Sequence, residues 1–266
     1  MIKLIATDID GTLVKESSRE VYPEMIKVVR EWTDRGGYFC AASGRQYYSI
    51  RHMFEAVSGR MIYIAENGAY VRYGEEEILL RKMRRDYVEQ LIIQLREYYD
   101  ECDVVVSTVA GSLLESTNEK FLKYFKEGYG NKYRIVPDVL AEKEDILKVA
   151  VYREGSIRKL GESTFIPQWK DKIKACMAGE EWVDFMDASV DKGNALKVIQ
   201  EYFHITPDET MTFGDSDNDI GMLEGAAVSY AVESARDNVK ACAKYVCPSH
   251  EKKGVCQVIA GLLRQD

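Results

Sequence analysis

Short apolar runs alternate with longer amphipathic stretches along this chain, and the rhythm changes twice. Residues 2–7 form a largely apolar run that ends at Asp8, and a helical period over 23–35 stops at Gly36-Gly37. A second apolar run covers 38–42, helical spacing returns near 46–57, and a third run covers 61–65. Strand, helix, strand, helix, strand at this spacing predicts right-handed crossovers and a parallel sheet. A hairpin-like pair, 70–73 and 78–80, flanks the acidic turn Gly74-Glu75-Glu76-Glu77.

Beyond residue 84 the pattern differs. Residues 86–99 place Tyr87, Leu91, Leu95 and Tyr98 on one helical face. Strands are predicted at 103–107, 112–115, 133–136, 146–152 and 182–186, with helices at 118–128 and 164–175. That order suggests an antiparallel sheet with helices on one face, an α+β module. After Asp191 the first rhythm resumes: a helix over 192–203, a strand at 210–213, a helix at 218–224, and strands at 228–231 and 245–247 with a helix between them. The expected organisation is an α/β core, residues 1–83 and 187–266, interrupted by an inserted module at 84–186.

Composition narrows the class. A chain of 266 residues fits one large domain or two smaller ones. With 46% hydrophobic and 30% charged residues it is neither disordered nor fibrous. Lys and Arg total 36 against 44 for Asp and Glu, and the resulting net charge of −8 argues against nucleic acid as a partner. No apolar run approaches the roughly 18–20 residues of a membrane span. The first charged residues come too early for a signal-peptide core, so no membrane partner and a cytoplasmic location are expected. Thiols stay reduced there. The six cysteines contain no C-x-x-C pair, and Cys242, Cys247, His250 and Cys256 match no common zinc spacing, so they read as buried free thiols. Arg81, Lys82, Arg84 and Arg85 read as a solvated linker at the expected hinge. His52, His204 and His250 sit in no recognisable catalytic neighbourhood.

Chemistry concentrates in four places. Asp8-Ile9-Asp10-Gly11-Thr12-Leu13 stands where the first strand ends, and residues two apart in an extended segment project to one side. Ser43-Gly44-Arg45 follows the second run, Lys192-Gly193 opens a helix, and Gly214-Asp215-Ser216-Asp217-Asn218-Asp219 follows a late strand. Taken singly these are a turn, a loop hydroxyl, a surface lysine and a helix-capping turn. Together they lie where an open parallel sheet binds ligands, at the carboxyl ends of its strands.

This set resembles the haloacid dehalogenase (HAD) superfamily, in particular its Cof-like branch of phosphatases. Glu66-Asn67-Gly68-Ala69, Ala231-Val232-Glu233-Ser234-Ala235 and Gly254-Val255 extend the likeness over the whole core. Departures are small: Ser43 stands where many members carry Thr, Asp191 where a small residue is frequent, and Val232-Glu233 where Met-Gly is more usual. The resemblance implies a Rossmann-like core with a parallel sheet, and a cap domain at 84–186 that sets substrate specificity.

It also implies roles. Asp8 would attack phosphorus to form an aspartyl-phosphate, and Asp10 would serve as general acid and then general base. Mg²⁺ would be held by Asp8, the Asp10 carbonyl, Asp215 and, directly or through water, Asp219. Ser43, the Gly44 N–H and Lys192 would hold the transferring group, with Asn218 orienting Lys192 or the phosphate. Asp8, Asp10, Asp215 and Asp219 against Lys192 leave three net negative charges, and a phosphate monoester brings about two more. Dianion binding therefore calls for a divalent cation. The expected activity is hydrolysis of small phosphorylated metabolites, sugar phosphates first. A phosphomutase on the same scaffold and a sensor that binds without turnover stay open at this point.

Overall fold

The computed structural model describes residues 1–264. In chain order the elements are β1 (Leu4–Asp8), α1 (Pro23–Asp34), β2 (Tyr38–Ala42), α2 (Tyr47–Met53), β3 (Met61–Ala65), β4 (Tyr70–Tyr73) and β5 (Glu76–Leu80). Next come α3 (Arg85–Leu95), β6 (Asp103–Thr108), β7 (Gly111–Leu114), α4 (Glu119–Tyr129), β8 (Tyr133–Ile135), β9 (Ile146–Tyr152), α5 (Arg158–Leu160), α6 (Ile166–Trp169), β10 (Lys174–Met177) and β11 (Trp182–Met186). The chain finishes with α7 (Lys192–Phe203), β12 (Thr210–Gly214), α8 (Ile220–Glu224), β13 (Val228–Val232), α9 (Asp237–Cys242), β14 (Tyr245–Cys247) and α10 (Gly254–Leu263). It divides into two compact units, Met1–Leu79 with the segment from Asp191 onward, and Leu80–Val190. Among the described residues no helix is long and apolar enough to cross a membrane.

The first unit holds an eight-stranded sheet in the order β14-β13-β12-β1-β2-β3-β4-β5. Strands β14 through β3 run parallel, and β4 turns back antiparallel on β3. All five residues of β1 are buried, as a central strand covered on both faces requires. One face is filled by Leu4, Ala6, Cys40, Ala42, Ile62 and Ile64, against Ala195, Leu196 and Ile199 of α7. From β1 the chain steps outward through β2 and β3, and after the insertion it returns on the other side through β12. The order therefore reverses at β1, and the crevice beyond its carboxyl end is where such sheets bind ligands.

The second unit is built on a six-stranded sheet, β10-β11-β9-β6-β7-β8, antiparallel except for the parallel pair β7–β8. Helices lie on both faces rather than the expected one. Val104, Val106, Val149 and Val151 pack with Leu91 and Leu95 of α3 and Trp169 of α6. On the opposite face Val105, Ala150 and Tyr152 meet Phe121 and Phe125 of α4. The expected helix at 164–175 is also displaced. Helical turns run over 158–169 with a π-type turn at Gly161–Phe165, and β10 begins at Lys174. Arg81, Lys82 and Arg84 lie exposed in the connecting segment as expected, Lys82 pairing with Asp145 at 3.1 Å and Arg84 with Asp86, while Arg85 opens α3 and meets Glu89 and the Glu142 carbonyl.

Candidate active site

At the end of β1, Asp8 Oδ1 accepts from Lys192 Nζ at 2.6 Å, and the same ammonium reaches Asp219 Oδ1 at 2.7 Å. Lys192 is only 1% exposed and Asp219 is fully buried. The lysine enters at the first turn of α7, whose start is fixed by the Asp191 carboxylate accepting from the Gly193 and Asn194 N–H groups. Asp219 Oδ2 in turn accepts from the backbone N–H groups of Asp215 and Ser216, both at 3.0 Å. Its two oxygens thus clamp the acidic loop on one side and the lysine on the other.

Asp215 is aimed by hydroxyls: Thr12 donates to Oδ1 at 2.7 Å and Ser216 to Oδ2 at 2.9 Å. Gly11 makes this approach possible. Its φ is +87°, and a Cβ there would stand 2.6 Å from Asp215 Oδ2. One carboxylate oxygen each from Asp8, Asp215 and Asp219 lie within 4.8 Å of one another.

Electrostatics leave this cluster short of positive charge. Burial, then the neighbouring Asp219 and Asp215 charges, push Asp8 well above the ordinary carboxylate range, and Lys192 only partly opposes them. Asp215 is raised as well, mainly by burial. Burial alone would lower Lys192, but Asp219 and Asp8 overcome it and hold the ammonium above the usual lysine range. Asp8 Oδ2 is buried without a hydrogen-bond partner. An orphaned carboxylate oxygen beside two further carboxylates, all oxygen donors, suits a hard divalent cation. Among the described residues the cysteines and His250 form no comparable group.

The Asp10 carboxylate is placed differently. Both of its oxygens accept from the Arg45 guanidinium, Nε to Oδ2 at 2.7 Å and Nη2 to Oδ1. The Ser17 N–H adds a third bond at 3.1 Å. Arg45 is buried and also donates to the Ser18 carbonyl at 2.7 Å. With the Arg45 guanidinium counted beside Lys192, the four carboxylates carry two net negative charges rather than three.

Ser43 and Gly44 follow β2, and the Arg45 N–H donates to Ser43 Oγ at 3.2 Å. Asn218 donates through Nδ2 to Asn67 Oδ1 at 3.0 Å. His250 is a correction to the sequence reading: its Nδ1 lies 3.1 Å from the Gly11 carbonyl, so this ring touches the loop between Asp10 and Thr12. A carbonyl oxygen only accepts, which makes Nδ1 the protonated nitrogen. No local pattern around His250 announces that contact, since 239 residues separate the partners.

Comparison with known proteins settles the family. The haloacid dehalogenase-like hydrolase family model matches residues 5–259. The chain belongs to that family. Among curated relatives of this HAD hydrolase, it is 26% identical to the 5-amino-6-(5-phospho-D-ribitylamino)uracil phosphatase YbjI of Escherichia coli, over all of this chain and 97% of that protein. It is 28% identical to a phosphoglycolate phosphatase of Methanopyrus kandleri, again over all of this chain and 99% of that protein. A crystal structure from Eubacterium rectale superposes with a TM-score of 0.89 at 35% identity, covering 98% of this chain and 99% of that one. The HAD subclass IIB sugar phosphatase BT4131 follows the same fold, with a TM-score of 0.81 at 22% identity over 98% of each chain.

Proposed function

We propose that this HAD hydrolase is a Mg²⁺-dependent phosphatase of small phosphate monoesters, sugar phosphates first, working through an aspartyl-phosphate on Asp8. The observation that carries the reading is the state of Asp8. One oxygen is fixed by Lys192 at 2.6 Å, while the other is buried with no partner beside Asp215 and Asp219. Asp8, the Asp10 carbonyl, Asp215 and, directly or through water, Asp219 would hold the cation. When bound it supplies positive charge to the carboxylates and to the phosphoryl oxygens.

Asp8 bonds to phosphorus as the ester oxygen leaves, and Asp10 gives that oxygen a proton. Asp10 then takes a proton from the water that attacks the aspartyl-phosphate, and Asp8 and phosphate are released. Asp10 Oδ2 accepts from Arg45 Nε and keeps a second lone pair for either transfer, while the guanidinium holds the carboxylate in one orientation. Lys192 keeps Asp8 oriented and places a positive charge against the transferring group. Ser43, the Gly44 N–H and Asn218 hold its oxygens. Substrate choice is assigned to the inserted segment 84–186, whose residues form most of a compact unit of their own.

The test is a phosphate-release screen over metabolite esters with Mg²⁺ and in excess chelator. Metal-dependent release, abolished in Asp8→Asn with ligand binding retained, is expected. Release that persists in chelator refutes the metal requirement. A wild type with no turnover across the panel favours the sensor, and a product bisphosphate favours the phosphomutase.

A further inference from the structure

We propose that the loop Glu66–Gly68, which carries no reacting group, is the positioning element of the phosphate cradle, and that Asn67 acts through its side chain. The inference rests on the phosphatase reading above and extends it to a residue with no role there.

Three consecutive residues of this loop have positive φ: Glu66 at 48°, Asn67 at 57° and Gly68 at 106°. L-residues seldom occupy that region, and asparagine is among the few that tolerate it. All three are buried. Such a conformation persists only where its surroundings impose it, and here three distant parts of the chain do so. The Glu66 N–H donates to the Arg45 carbonyl and the Asn67 N–H to the Ser43 carbonyl, both at 3.0 Å. A Cβ on Gly68 would lie 2.5 Å from the Asp191 carbonyl, so the loop is seated on the residue that precedes Lys192. Asn67 Oδ1 takes the Asn218 amide at 3.0 Å, and a Cβ on Gly44 would come within 3.0 Å of that same oxygen.

One neutral amide therefore touches the Gly44 backbone on one side and fixes the Asn218 side chain on the other. Its own backbone is tied to the serine that precedes Gly44. Asn218 stands 151 residues away in sequence, so this bond joins two distant segments of the core unit. The physical consequence is that Gly44 and Asn218 are set by one part. Loss of the Asn67 side chain frees both at once, while the loop backbone keeps its shape if the replacement accepts positive φ.

Asn67→Gly meets that condition, since glycine takes left-handed geometry without steric cost. The full-length enzyme with Mg²⁺ is compared as wild type, Asn67→Gly, Asn218→Ala and the double variant. Inhibition by inorganic phosphate, kcat and KM for one ester, and the melting temperature are read for each. Expected is a rise of about tenfold in the phosphate inhibition constant for either single variant, with the double variant no worse than the weaker single. Melting temperatures should stay within a few degrees of wild type.

Asn67→Gly with an unchanged inhibition constant overturns the proposal, as do two effects that multiply in full. A lowered melting temperature with phosphate binding intact reduces Asn67 to a structural part and overturns it equally. A wild type that neither turns over esters nor binds phosphate removes the phosphatase reading and this inference together. A competent wild type with an indifferent Asn67→Gly removes this inference alone.

Discussion

Asp8→Asn is expected to make the protein more stable while removing its activity. In the absence of a cation, Asp8 has carboxylate oxygens of Asp215 and Asp219 within 4.8 Å and the Lys192 ammonium at 2.6 Å. At an effective dielectric constant of about 20, each carboxylate repels Asp8 by at least about 3.5 kcal/mol, and the lysine attracts it by about 6 kcal/mol. The two repulsions and the one attraction nearly cancel. What is left is the cost of holding a charge out of water at a site 5% exposed, with one oxygen lacking any partner. Asparagine removes the charge yet keeps an oxygen for Lys192, which retains Asp219 as its counter-ion.

A gain of about 1–3 kcal/mol in chelator follows, the usual direction when a functional site is neutralised. Amide hydrogen exchange along β1 and β12 reads it for the core unit by itself. Saturating Mg²⁺ should narrow the gap: at about a hundred times its dissociation constant a ligand stabilises its binder by about 2.7 kcal/mol, and the variant has lost one ligand. A variant less stable than wild type in chelator, or one that gains as much from Mg²⁺, refutes the reasoning.

Three further outcomes are expected. Gly11→Ala has to accommodate φ +87° and a methyl 2.6 Å from Asp215 Oδ2, so Mg²⁺ affinity by calorimetry should fall about tenfold or more; unchanged affinity would count against Asp215 as a ligand. Arg45→Lys keeps the charge but loses the fork that holds both Asp10 oxygens, and kcat should drop about tenfold or more with KM little changed, an equal kcat being the refuting result. In the inserted unit, burial raises Glu115 but the Arg96 guanidinium, the Val139 N–H and the Tyr99 hydroxyl outweigh it and hold its carboxyl below the ordinary value. Its contribution to stability is therefore full above the usual glutamate pKa of about 4.3 and is lost as pH falls through the lowered value. Glu115→Gln should lower the unfolding midpoint at pH near 7, and the gap should close toward pH near 3; a gap independent of pH contradicts the assignment.

How much of this was legible in the sequence depends on the range of the interaction that decides each element. Strands β2, β3 and β9 and helix α7 have the bounds the apolar pattern predicts, because burial on both faces or one stripe is written locally. The stretch 158–177 is the instructive miss. Phe165, Trp169 and Ile173 recur at helical spacing and all three are buried in one core, so the periodicity is real. Yet Ile173 arrives there after a turn at 170–172, as the lead into β10, and spacing alone does not separate that from one more helical turn. At the site, the convergence of Asp8, Lys192, Asp215 and Asp219 followed from three motifs at strand and helix ends. The Arg45 grip on Asp10, the His250 ring on Gly11 and the Thr12 hydroxyl on Asp215 did not, since each is fixed by side-chain direction across 35 to 239 residues.

Backbone strain in the core unit is distributed unevenly, and its location argues for function. Among the described residues five non-glycine positions have positive φ: Ser17, Glu66, Asn67, His204 and Lys253. His204 ends α7 and Lys253 ends the 3-10 turn His250–Lys252, where a left-handed residue satisfies helix geometry. Ser17, Glu66 and Asn67 have no such excuse. Ser17 gives its N–H to Asp10, and the other two hold the Ser43-Gly44-Arg45 turn from behind. The same crevice holds the unpartnered Asp8 oxygen, and three carboxylates crowd one ammonium there. A sheet selected for stability alone would have relaxed these features, as each costs on the order of a kcal/mol or more. Their coincidence around the carboxyl ends of β1 and β3 marks this crevice, rather than the rest of the sheet, as the functional candidate.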